Sequence, residues 1–117
     1  MKKTTEKTLH YLQTNGFRCC IVERWVPMAG DWKRGRRIDA FGFGDILAMR
    51  AGDVPGVGSV VLVQSCAGSG HAAHKAKILA LPDFKLWKRS GGDVLLISWS
   101  KKKVVSSKFW TPRVELL

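Results

Sequence analysis

Negative charge is scarce in this 117-residue chain: nine Asp and Glu stand against twenty Lys and Arg, a net charge of +11. An imbalance of that size favours a polyanionic partner, because neutralising phosphates releases condensed counterions. Long apolar stretches are missing as well. None approaches the ~20 residues of a membrane-spanning helix, and the polar start MKKTTEKT lacks the apolar stretch of a signal peptide. A cytoplasmic protein is the expectation. Cysteine is sparse, and its three copies, with Cys19 and Cys20 adjacent, make no disulfide framework. All three read as reduced thiols, with at most one of the adjacent pair buried, since consecutive strand residues face opposite sides. There is no CxxC pair for a zinc ribbon, and AGSGHAAHK at 67–75 lacks the GK[ST] of a Walker loop. With no internal repeat, low-complexity tract or linker, residues 1–117 read as a single domain.

What is present is a globular composition, 45% apolar and 25% charged, with its basic residues grouped. Lys33, Arg34, Arg36 and Arg37 crowd a glycine-containing segment. Lys101, Lys102 and Lys103 form a second run, and Lys85, Lys88 and Arg89 gather around Trp87. These groups suit a phosphate backbone, DNA or RNA, held without reading its sequence. An anionic membrane would attract the same charge, but no strongly amphipathic basic helix is present to lie on one. Trp32, inside DWKRGRR, either stacks on an unpaired base or packs as a loop anchor.

Residues 4–15 read as a helix capped by Thr4 or Thr5, with Glu6 in its first turn and Gly16 ending it. FRCCIVERW (17–25) reads as a strand, and VPMAGDWKRGRR (26–37) as a loop. IDAFGFGDILAMR (38–50) carries a second strand, regular over 44–50. After a turn-rich connection at 51–58, SVVLVQSC (59–66) has the continuous apolar run of a strand buried on both faces. AGSG (67–70) precedes a helix, HAAHKAKILAL, whose Ala72, Ala76 and Leu79 share one face. Pro82 restarts a further helical segment closed by Gly91, DVLLISWS (93–100) is a fourth strand, and 114–117 offers an edge strand. The expected class is α/β: three strands in an antiparallel meander, then a helical crossover to a strand lying parallel to a neighbour.

Two stretches carry chemistry, FGFGDILAM at 41–49 and VVLVQSC at 60–66. Asp45 is an acid at the entrance of a buried strand, where an isolated charge is costly; its alternative role is a turn residue after glycine. Gln64 is an amide inside an apolar strand, which calls for a hydrogen-bonding partner. The αβββαβ order, with an acid leading the second strand and a polar pair in the third, resembles the PD-(D/E)XK, or restriction-endonuclease-like, nuclease superfamily. Within it the likeness is to the Holliday junction resolvase-like branch. The resemblance covers residues 4–100 and rests on Glu6, FGFGDILA at 41–48, LVQS at 62–65 and HAAHKAKI at 71–78. It implies a mixed central sheet flanked by helices. It further implies a Mg²⁺- or Mn²⁺-dependent endonuclease hydrolysing DNA, branched or single-stranded, with Asp45 and Gln64 as metal ligands and Glu6 as the helix-one glutamate. Cys66 stands where the motif lysine belongs, and Lys77 or Lys75 on the following helix would replace it. Those departures keep a second function open: a catalytically inactive nuclease-fold module that binds DNA or RNA, or assembles with other subunits.

Other residues have paired readings. Asp39 either joins Asp45 or pairs with Arg36 or Arg37. Glu23 either approaches Asp45 across the sheet or pairs with Arg24. Cys66 is a small buried filler or, with His71 and His74, three of the four ligands zinc needs. The GSG at 68–70 is a plain turn or a phosphate-facing helix start. Trp99 belongs to the core. A homodimer would supply two sites related by a two-fold axis.

Overall fold

The computed structural model describes residues 2–54, 57–104 and 107–117, the side chains of 54–57 and 103–108 lying outside that description. Helix α1 (Lys3–Thr14) is followed by β1 (Arg18–Ile21), β2 (Arg24–Met28), β3 (Asp31–Ile38), β4 (Ile46–Val54) and β5 (Val57–Ala67). A 3-10 turn (Gly68–Gly70), α2 (His71–Ala80), α3 (Pro82–Arg89), β6 (Asp93–Val104) and β7 (Ser107–Leu116) complete the chain. Five strands form one mixed sheet in the order β1-β4-β5-β6-β7, and β2 and β3 form a separate hairpin. β1, β4 and β5 are antiparallel neighbours, and β6 runs parallel to β5 after the α2–α3 crossover. No described helix is long and apolar enough to cross a membrane.

Helices cover both faces of the sheet. α1 lays Leu12 against Ile46, Ala48, Val61, Val63, Ile97 and Trp99. Ile78 of α2 and Phe84 of α3 close over Leu62, Cys66, Val94 and Leu96. The alternation of Val61 and Val63 with Leu62 is the strand period of two feeding both layers. Cys66 is thus a buried filler, and all three cysteines are free.

Several elements differ from the sequence expectation. The strand read over 17–25 is two strands in different sheets, and the expected loop 26–37 is the return arm of a hairpin. Its two turn residues, Ala29 and Gly30, both have positive φ, 49° and 79°, the geometry that matches strand twist in a two-residue hairpin turn. α1 starts at Lys3 with Lys2 as its N-cap and no side-chain cap bond. Thr5 is turned into the core rather than capping. On α2 the buried positions are His71 and Ile78, whereas Ala72, Ala76 and Leu79 are exposed. α2 is oriented by His71, which bonds into the sheet, so its small apolar stripe is left facing out. β7 spans far more than 114–117, pairing with β6 from Val104↔Ser107 to Leu95↔Leu116.

Candidate metal centre

The segment between β3 and β4 is a tight turn. Ala40 and Gly44 form an isolated antiparallel bridge, with Gly44 N–H donating to Ala40 O at 2.9 Å and Ala40 N–H to Gly44 O at 2.8 Å. Phe41 and Gly42 take positive φ, 55° and 83°, and Phe43 anchors the turn in the core. Gly44 is required there: any Cβ would run into the buried Leu62 side chain. The next residues outward, Asp39 and Asp45, face each other across the bridge. Directly opposed residues of an antiparallel pair project to the same side, so the turn geometry drives two carboxylates together.

A third arrives from the link between β1 and β2. Ile21 pairs with Ile46, and the N–H groups of Val22 and Glu23 both donate to Asp45 O, at 3.0 and 3.3 Å. Carboxylate oxygens of Glu23, Asp39 and Asp45 then all lie within 4.8 Å of one another. Asp45 is fully buried. Its Oδ1 and Oε2 of Glu23 are buried without a hydrogen-bond partner among the described residues. Neither Arg24 nor Arg36 nor Arg37 forms an ion pair with these acids among the described residues. Burial, and next the Asp39 carboxyl, push Asp45 up to about 8, against the opposing pull of Ser65 N–H and Lys2. Close-set acids with orphaned buried oxygens are the donor set that a hard divalent cation accepts.

The other oxygen of Asp45 is fully engaged. Oδ2 accepts from Ser65 N–H at 2.8 Å, from Gln64 Nε2 at 3.0 Å and from Lys2 Nζ at 3.3 Å. Gln64, expected as a metal ligand, turns its amide nitrogen to the carboxylate and acts on Asp45 as a donor. Lys2 Nζ also reaches Ser65 O, at 3.4 Å, and its charge pulls down on the Cys66 thiol, which burial raises. The ammonium therefore stands beside the residue that occupies the motif-lysine position. A polar relay ties this corner to α1: Trp99 Nε1 donates to Thr8 Oγ1 at 2.8 Å, and the Thr8 hydroxyl meets Ser65 Oγ at 2.9 Å.

The chain matches no family model, no curated protein and no solved structure.

The remaining candidates fall elsewhere. Glu6 is exposed on α1 and outside the acid cluster. Lys75 is paired with Oε2 of Glu115, and Lys77 is exposed on the outer side of α2. His71 is committed to Ser98 Oγ at 2.7 Å and Glu115 Oε1 at 2.8 Å, and His74 to Gly70 O at 2.9 Å. Cys66, His71 and His74 do not assemble as a ligand group among the described residues. Gly68 packs where a Cβ would meet Ser100 Oγ, which accounts for the glycine turn. Lys2 is the residue that reading the sequence missed. A lysine at a helix N-terminus opposes the dipole, and that mismatch was the available signal for a nearby carboxylate.

The basic groups lie at the same end of the sheet as the acids. Asp45 sits at the start of β4, beside Gln64 and Ser65 near the end of β5, and Ala67 pairs with Trp99 of β6. Lys101 and Lys102 follow within a few residues on the β6–β7 arm and are exposed; the side chain of Lys103 lies outside the described residues. The β2–β3 hairpin leaves at Glu23 and returns at Asp39, carrying Trp32, Lys33, Arg34, Arg36 and Arg37, all exposed. Trp32 is 72% exposed, so it is no packed anchor. Lys101 is drawn over the Trp110 ring, 5.0 Å from its centroid.

Proposed function

We propose that this protein is a nucleic-acid-processing enzyme of restriction-endonuclease-like fold. It acts as a Mg²⁺- or Mn²⁺-dependent endonuclease on DNA phosphodiester bonds, with branched or single-stranded DNA as its substrate class. The observation that carries this reading is the convergence of Glu23 with Asp39 and Asp45, the last two brought together by the β3–β4 turn, with two buried oxygens left unpartnered among the described residues. The order α1, β1, β4, β5, α2–α3, β6, with β5 and β6 parallel, supports the fold assignment, the β2–β3 hairpin being an insertion.

Glu23, Asp39 and Asp45 would hold the cation. Bound there, it would supply the Lewis acidity that polarises a phosphoryl oxygen. Gln64 and Ser65 fix the Asp45 carboxylate through Oδ2, which leaves Oδ1 without a partner among the described residues. Lys2 holds a positive charge beside the acids, suited to the charge that develops on the phosphate in the transition state. The β2–β3 and β6–β7 arms flank the site with cations that would grip the backbone on either side.

Purified protein incubated with supercoiled plasmid, single strands and a four-way junction, in Mg²⁺ and in Mn²⁺, tests this directly. Cutting by the parent that is lost in Asp45→Ala is the expected result. Equal cutting by both proteins would sink the assignment. Gln64 and Cys66 at motif positions favour a second reading, a nuclease fold retained as a DNA- or RNA-binding module. Salt-sensitive gel shifts in EDTA without cutting by either protein would establish it.

A further inference from the structure

We propose that the cleft between the Asp39–Asp45 turn and α3 is a stacking site for an unpaired base of single-stranded DNA. The chemical class of this ligand rests on the nuclease reading above. The cleft has a volume of about 360 Å³ and is lined by Phe41, Asp83, Leu86, Trp87 and Ser90, within the range of pockets that hold small planar ligands. Its walls are aromatic and apolar yet open, Phe41 being 59% and Leu86 64% exposed. The Phe41 and Trp87 rings stand 6.2 Å apart by centroid and are tilted by 37°.

One wall is rigid. Trp87 Nε1 donates to Asp93 O at 2.7 Å, and its indole packs on Gly92 where a Cβ would collide with it. The other wall is strained. Phe41 holds φ at 55°, a conformation costly for a bulky side chain, and most of its ring gains no burial in return. A large apolar group presented to solvent at such a cost points to a flat apolar ligand that covers it.

Charge and position favour a nucleobase over an apolar protein side chain. The chain carries a net +11, and α3 exposes Lys85 and Arg89. Arg89, three residues from Leu86, stands about 60° round the helix from it, within reach of a phosphate at the cleft edge. Lys88 is committed to Asp93 at 3.4 Å and is not counted. At the rim, Asp83 offers an acceptor to a base edge, and so does Ser90 Oγ, whose own proton goes to Leu86 O at 2.7 Å. Phe41 is two residues from Asp39, so their Cα atoms are at most ~7 Å apart. A base stacked on Phe41 would bring its own sugar–phosphate next to the acid cluster.

Fluorescence anisotropy of a labelled single-stranded oligonucleotide, and of a blunt duplex of the same sequence, tests the site in EDTA. The proteins are the parent, Phe41→Gly and Leu86→Ser. Glycine tolerates the positive φ at position 41, so the turn is preserved. Both variants are expected to lose about tenfold in single-strand affinity while duplex affinity is unchanged. Unchanged single-strand affinity in both variants overturns the stacking site. An equal loss on the duplex overturns it as well, leaving general electrostatics. A dimer in sedimentation velocity that dissociates on Phe41→Gly, with no change in single-strand affinity, assigns the cleft to a second copy and also overturns it. Cleavage by Asp45→Ala is read separately, so a failed stacking site and a failed metal centre give different results.

Discussion

Gln64 Nε2 donates to Oδ2 of Asp45 at 3.0 Å, whereas Oδ1 of the same buried carboxylate has no partner among the described residues. One oxygen thus takes the local donors, Ser65 N–H and Lys2 Nζ among them, and the other has none among the described residues. Buried polar groups are almost always paired. This asymmetry therefore separates the corner from an ordinary buried ion pair, in which both oxygens would be satisfied.

If Gln64 positions Asp45, replacing it by an acid changes the balance in a defined direction. Gln64→Glu adds a fourth carboxylate to the corner and removes a donor. In EDTA its melting temperature should fall below that of the parent through like-charge repulsion. Mn²⁺ should then raise it by more than it raises the parent. Calorimetric scans with and without the cation check this, and equal Mn²⁺ shifts in the two proteins would contradict it.

Lys2 touches the site from the start of α1, and its role is separable from cation binding. Lys2→Met should lower the cleavage rate by roughly 10²–10³, the scale of losing one preorganised transition-state partner, while stabilisation by Mn²⁺ persists. Kinetics and thermal shifts on the same preparation distinguish the outcomes. A rate loss matched by loss of the Mn²⁺ shift would instead make Lys2 an organiser of the cluster.

A second charged corner ties α2 to β7. Glu115 is held down to about 2 by Lys75 first and His71 next. Its unfolded counterpart takes a proton near 4.5, so between those values the unfolded state binds more protons and stability rises with pH. The contribution is present above about pH 4.5 and lost as pH falls towards 2. Denaturant unfolding of the parent should weaken across that window, and Glu115→Gln should flatten the dependence. An unchanged slope would show that the corner adds nothing to acid stability.

Much of the sheet was legible because its strands announce themselves. SVVLVQSC and DVLLISWS are apolar runs that need burial on both faces, and both lie at the sheet centre as β5 and β6. The β2–β3 hairpin hid because DWKRGRR has no apolar alternation. Its ladder is held by backbone bonds and by an Ala29–Gly30 turn without the usual Asn-Gly signature. The length of β7 was hidden in the same way by Ser, Lys and Pro. Asp45 could be singled out as a lone acid beside a buried strand. That Asp39 joins it depends on the tight Ala40↔Gly44 turn, and that Glu23 joins it on the β1–β4 register, a long-range pairing that local spacing does not encode. Lys75 and Lys77 looked suitable by spacing along α2, but His71 sets that helix's rotation and sends Lys75 to Glu115.

The central claim is that Glu23, Asp39 and Asp45 hold a divalent cation, and thermal unfolding of the parent and Asp45→Asn, in EDTA and in Mn²⁺ at neutral pH, tests it most directly. The unfolded Asp45 carboxyl releases its proton near 3.8 and the folded one near 8. Between these values the folded state carries the extra proton, and stability falls as pH rises. Asp45→Asn removes that penalty and should melt above the parent in EDTA. At Mn²⁺ near 100 times its dissociation constant the parent should gain about 2.7 kcal/mol, and Asp45→Asn should gain little. No gain in the parent, or the same gain in both proteins, would contradict the claim.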